Sequence, residues 1–116
     1  MSGDPKLNTE TIDTQLIDYV ASRIAGEIQP DKIILFGSFA RGDANQESDL
    51  DLFVIKDTDE SSRLIRRKID RLLWGRRFPL EVIVRTQKEV DQNIKAKNPF
   101  YLNHIFKEGK ILYEKK

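Results

Sequence analysis

Apolar residues recur every four positions early in the chain, at Ile12, Leu16, Val20, Ile24 and Ile28. That interval predicts a helix with one buried stripe, with Asn8 or Thr9 placed to cap its start and Gly26 and Pro30 to close it. The residues before it are mostly polar and include Pro5, so residues 1–8 read as a disordered leader and residues 9–116 as a single domain. A short apolar run, Ile33-Ile34-Leu35-Phe36, predicts a strand at about 32–36, and Leu52 to Ile55 anchors a second at about 50–56. A helix from about Glu60 to Trp74 then buries Ile65, Ile69, Leu72 and Leu73 and turns its arginines outward. Gly75 ends it. Pro79 introduces a third strand, Leu80 to Arg85, rich in β-branched residues.

Thr86 to Glu89 forms a capping box for the next helix, and Asn98-Pro99 opens a further one that stops at Gly109. Ile111-Leu112-Tyr113 makes a final strand. The expected fold is α/β, a small mixed sheet of about four strands with four or five helices. A connection as short as Gly37–Ser48 argues against a regular doubly wound parallel sheet.

Composition narrows the picture. A chain of 116 residues with 39% hydrophobic and 34% charged content suits one soluble domain. There is no cysteine, which excludes disulfides and thiolate metal sites. The longest apolar runs fall far short of the roughly 20 residues that span a bilayer, and the first residues lack the apolar segment of a signal peptide, so a cytoplasmic protein is expected. The net charge of +1 disfavours a nucleic acid partner. Basic residues are nevertheless concentrated: Arg63, Arg66, Arg67, Lys68, Arg71, Arg76 and Arg77 share their stretch with one acid, Asp70. That face reads as solvated surface, a dock for an acidic protein, or a nucleic acid contact, in that order.

The chemistry lies between the first two strands, in Gly37-Ser38-Phe39-Ala40-Arg41-Gly42 and Ser48-Asp49-Leu50-Asp51-Leu52. Asp49 and Asp51 are two residues apart, so on an extended chain both side chains leave one face, roughly 6.6–6.8 Å apart. Carboxylates placed so repel each other unless a cation or proton lies between them. Hard oxygen ligands of this kind suit Mg²⁺. Gly37 lets the backbone approach a ligand closely, and the helix N-terminus at Ser38 offers amide groups to a phosphate. Arg41 is placed either to contact phosphate or to brace a neighbouring acid.

Gly-Ser, ten residues, then Asp-x-Asp resembles the nucleotidyltransferase superfamily that includes DNA polymerase β. The fuller motif, with Glu108-Gly109-Lys110-Ile111-Leu112-Tyr113-Glu114 at the end, resembles its smallest branch, the MNT (minimal nucleotidyltransferase) proteins, from about residue 10 onward. The resemblance implies a polymerase β-like core and transfer of a nucleoside monophosphate from an NTP, ATP in the MNT case, to a hydroxyl. It implies two Mg²⁺ ions held by Asp49, Asp51 and a third carboxylate on the following strand, where Glu81 stands in place of the commoner aspartate. Gly37, Ser38 and Arg41 would hold the nucleotide. It further implies a helical HEPN-type toxin as partner, with this chain as its antitoxin; a homo-oligomer is also open. An antitoxin acting by contact alone and a small-molecule transferase are the alternatives. His104, the single histidine, reads as structural, and Trp74 as core or interface.

Overall fold

Residues 3–116 are described by the structure, a computed structural model. Helix α1 (Thr14–Ile28) buries Leu16, Ile17, Val20, Ala21, Ile24 and Ile28. Its cap is Asp13, whose carboxylate accepts from Leu16 N–H at 2.8 Å, and not Asn8 or Thr9. Ile12 precedes the helix, and Gly26 lies inside it; the chain leaves at Gln29, which takes a left-handed conformation ahead of Pro30. The next elements are β1 (Lys32–Phe36), α2 (Ser38–Arg41), β2 (Leu50–Ile55) and α3 (Ser62–Leu72). They are followed by β3 (Leu80–Arg85), α4 (Gln87–Lys95), a π-helix (Phe100–Lys107) and β4 (Lys110–Glu114). Ser61 caps α3, and the capping box at Thr86 and Glu89 is formed in full.

The strands make one mixed four-stranded sheet, as expected, and their order is β3-β2-β1-β4. β1 is antiparallel to both β2 and β4, and β2 is parallel to β3. Alternation along the strands divides the core in two. Ile33, Leu35, Leu50, Leu52, Val54, Val82 and Val84 pack with α1 and with Ile65, Ile69 and Leu73 of the α3 segment. Ile34, Phe36, Phe53 and Ile55 pack on the other face with Val90 of α4 and with Tyr101 and Ile105 of the π-helix. Edge-on ring contacts, Phe36 to Phe100 at 5.7 Å and Phe53 to Tyr101 at 5.6 Å, tie that second layer together.

The expected leader departs most from this picture. Met1 and Ser2 lie outside the described residues. From Asp4 onward the segment is structured: Asp4 caps a short 3₁₀ turn (Pro5–Leu7), and Leu7 is fully buried in the main core. The Asp4 carboxylate accepts from Tyr19 Oη and, at 2.7 Å, from Arg23 Nη1, which fastens the turn to α1. These bonds, that with Tyr19 first, hold the Asp4 carboxyl below its ordinary range. A single large apolar side chain with polar neighbours anchors the segment, and no periodic pattern announces it. Of the two readings of Trp74, core or interface, the structure removes the first, because Trp74 stands 53% exposed beyond the end of α3.

Candidate active site

Three neighbouring strands bring the sequence candidates together. Phe36, the last residue of β1, pairs with Asp51 of β2, and Asp51 pairs with Glu81 of β3. Residues opposed in this way point to one face of a sheet, so Asp51 and Glu81 stand side by side on the face that carries Phe53 and Ile83. Asp49 precedes β2 and is exposed. Among the described residues no group of three carboxylate or imidazole side chains stands at metal-ligand spacing. The close pair is Asp51 and Glu81, with Asp49 acting on Asp51 through its charge.

Electrostatics record that crowding. The Asp51 carboxyl is pushed up to about 6, first by burial, then by the hydrogen bond it shares with Glu81 and by the charges of Glu81 and Asp49. Arg41 pulls the other way. Each cause disfavours a bare carboxylate unless positive charge is added.

Gly37 sits against this pair. Its φ is +76°, and a Cβ there would collide with the Asp51 Oδ2 atom. Both facts demand glycine. The carbonyl of Gly37 accepts from Ala40 and Arg41 N–H, each at 3.1 Å, which winds α2 and leaves the amides of Ser38 and Phe39 ahead of the first helical bond. Those groups and the Ser38 hydroxyl form a small donor surface beside the carboxylates. Arg41 braces acids, with Nε 3.2 Å from Asp43 Oδ2 and Nη1 3.7 Å from Glu108 Oε2. Its guanidinium is held above its ordinary range, chiefly by the bond to Asp43.

Glu108 was prominent in sequence only as part of the closing motif. Folding places it at the end of the π-helix, where its Oε2 is buried with no hydrogen-bond partner among the described residues. No sequence signal marks its link to Arg41, which spans 67 positions of chain and depends on how the π-helix seats on β1. His104 lies 3.6 Å from the same carboxylate and tilts against Phe100, remote from Asp51 in its contacts.

A mixed four-stranded sheet with Asp51 and Glu81 paired across β2 and β3, and Gly37 against Asp51, is the arrangement expected of a nucleotidyltransferase. The chain belongs to the Polymerase beta, Nucleotidyltransferase family, whose pattern matches residues 18–116. Two proteins of Methanocaldococcus jannaschii named "Putative protein adenylyltransferase" are similar to it. MJ0604 is 30% identical over 92% of this chain and 100% of its own length. MJ1305 is 37% identical over 72% of this chain, which spans 58% of that relative. The fold is shared with a crystal structure from Sulfolobus solfataricus described as "a putative nucleotidyltransferase", at TM-score 0.58 and 16% identity, covering 98% of this chain and 91% of that one. It is also shared with a toxin-antitoxin structure solved with AMP-PNP, at TM-score 0.50 and 16% identity, covering 85% and 74% of the two chains.

Proposed function

We propose that this protein transfers AMP from ATP to a hydroxyl on a partner protein, as the MNT-type antitoxin of a helical HEPN-type toxin. The observation that carries the chemical part is the Asp51–Glu81 pair, set in register on adjacent strands with Gly37 against Asp51. The names of the two archaeal relatives support AMP and a protein acceptor. The toxin-antitoxin neighbour supports the biological role.

Asp49, Asp51 and Glu81 offer oxygen donors of the kind Mg²⁺ takes, and burial together with the charges of Glu81 and Asp49 already opposes a bare Asp51 carboxylate. On this reading the three carboxylates would hold two Mg²⁺ ions, which would supply positive charge against the phosphates and lower the pKa of the acceptor hydroxyl. The amides of Ser38 and Phe39 and the Ser38 hydroxyl hold the triphosphate, and Arg41, drawn from Asp43, adds a cation to it. Glu81 accepts the proton of the acceptor hydroxyl. That oxygen bonds to the α-phosphorus as the bond to the pyrophosphate oxygen breaks, and pyrophosphate leaves.

The test is incubation with α-labelled ATP and Mg²⁺, with and without the product of the adjacent gene. Label should appear on that product, and Asp49→Asn with Asp51→Asn should abolish it while the far-ultraviolet circular dichroism stays that of the parent. Glu81→Gln should lower turnover at least a hundredfold with ATP affinity nearly unchanged, as expected for a group that acts mainly in the transition state. Neutralisation of the toxin without any label transfer would replace the reading with an antitoxin that acts by contact alone.

A further inference from the structure

Among the described residues β3 is an edge of the sheet, with β2 as its one neighbouring strand. Leu50 N–H donates to the Pro79 carbonyl and Lys56 N–H to the Arg85 carbonyl, which fixes the phase of that parallel ladder. In such a ladder the N–H and C=O of one residue point to the same side, and successive residues alternate. The peptide groups of Glu81 and Ile83 therefore face β2, and those of Leu80, Val82 and Val84 face outward. Arg85 Nη1 donates to the outward carbonyl of Val84 at 2.7 Å, which agrees with this phase.

Helix α3 runs beside this open edge. Arg63 and Arg66, with Val82 to Arg85, line a cleft of about 240 Å³. Lys68, Arg76 and Arg77 of the same basic stretch are bridged to Glu60, Asp70 and Glu10. Arg63 and Arg66, both exposed, make no ion pair among the described residues. A row of outward backbone donors and acceptors next to unneutralised guanidinium groups matches an extended acidic chain. A second copy of this protein paired by the same edge would set its own arginines against these, so charge opposes that occupant.

The alternation of faces then places the docked residues. Val82 and Val84 point to the α1–α3 layer, where the arginines stand, whereas Glu81 and Ile83 point to the face that carries Asp51. An added strand lies about 4.7–4.9 Å from β3 and alternates in step with it. Resting on the reading of this site as a hydroxyl-modifying nucleotidyltransferase, we propose that the free edge of β3 docks the acceptor protein. It takes an extended acidic segment as a fifth strand, with a hydroxyl residue beside Glu81 and acidic residues before and after it facing Arg63 and Arg66. Pairing at the edge thus presents the acceptor oxygen to the carboxylates.

A fluorescent decapeptide of alternating Glu and Thr is the probe. Its binding, read by anisotropy, should weaken at least tenfold in Arg63→Glu with Arg66→Glu, and at least tenfold when its alternate amides are N-methylated. Amide exchange at Val82 and Val84 should slow at least tenfold on peptide binding, with Glu81 and Ile83 little changed. Calorimetry of Mg²⁺-ATP without peptide tests the site separately, and its failure would remove the transferase reading whatever the peptide does. With ATP binding intact, no peptide binding, indifference to the arginine reversal, or protection away from Val82 and Val84 would overturn the docking proposal. Tighter binding of a thymidine oligonucleotide at this cleft would overturn it in favour of nucleic acid. Protection of Val82 and Val84 that rises with protein concentration alone would overturn it in favour of a second copy.

Discussion

Asp51 binds a proton more readily than an ordinary aspartate because its surroundings oppose charge, and that preference ties the site to folding. Its carboxyl titrates near 6 in the folded protein, against 3.8 for the free side chain. Between those values the folded state binds more protons than the unfolded one, so stability falls as pH rises from about 4 to about 6 and levels off above. The carboxyl is only partly buried, so the full shift overstates the effect, and solvent screening leaves about 1 kcal/mol. Asp51→Asn should therefore be more stable than the parent above pH 7 by about that amount, with the difference vanishing near pH 4. Urea denaturation at both pH values, without divalent cations, measures it; an equal difference at pH 4 and pH 8 would refute the assignment. Much of this residue-scale picture was legible. Spacing placed Asp49 and Asp51 near one another, whereas Glu81 as third acid came only from the resemblance to the nucleotidyltransferases. Register was not legible. That Glu81 stands opposite Asp51, and that Asp49 falls outside the strand, follows from cross-strand pairing that a single sequence does not state.

At the scale of elements, the apolar runs located all four strands, the stripes located α1 and α3 to within a few residues, and the capping box located the start of α4. The stretch after Asn98 was expected as an ordinary helix. It does begin at Asn98-Pro99, where Asn98 Oδ1 accepts from Phe100 N–H at 3.0 Å, but the winding is that of a π-helix, with Glu108 N–H donating to Asn103 C=O at 3.0 Å. Eight residues span too few turns for apolar spacing to separate the two windings. Tertiary contact decides, because Tyr101 and Ile105 must both reach the aromatic face of the sheet. Gly109 then makes the tight passage into β4. A Cβ there would strike the carbonyl of Ile105 and come within 2.7 Å of Ile34 Cγ2. Gly109→Ala should thus cost about 1–3 kcal/mol by overpacking. The denaturation midpoint reports it, and a cost under about 0.5 kcal/mol would show that the π-helix can shift to make room. Since Glu108 sits at the same seam, the variant should also loosen its contact with Arg41.

Over the whole molecule, what pattern reading missed is how the chain closes its larger core. The stripe from Leu16 to Ile28 and the strands account for most of that core, but Leu7 fills a place in it with no exposed surface. Its backbone is held as well, because Arg77 N–H donates to the Leu7 carbonyl at 3.3 Å and Arg77 Nη2 meets Glu10 at 3.0 Å. The opening segment therefore bridges α1 and the turn that leads into β3, the strand carrying Glu81. One leucine among polar residues offers no period to detect, and Pro5 reads as easily in a leader as at the head of a short turn. Leu7→Ala removes a fully buried side chain and should cost about 2–5 kcal/mol. Against a total of roughly 5–15 kcal/mol for an ordinary domain, that is a large share. Gln15→Ala on the exposed side of α1 is the control, and should stay within about 0.5 kcal/mol of the parent. Urea denaturation of the two variants side by side distinguishes a packed segment from a leader. If Leu7→Ala unfolds at the same urea concentration as Gln15→Ala, residues 4–8 contribute nothing to the core and the sequence-based expectation of disorder stands.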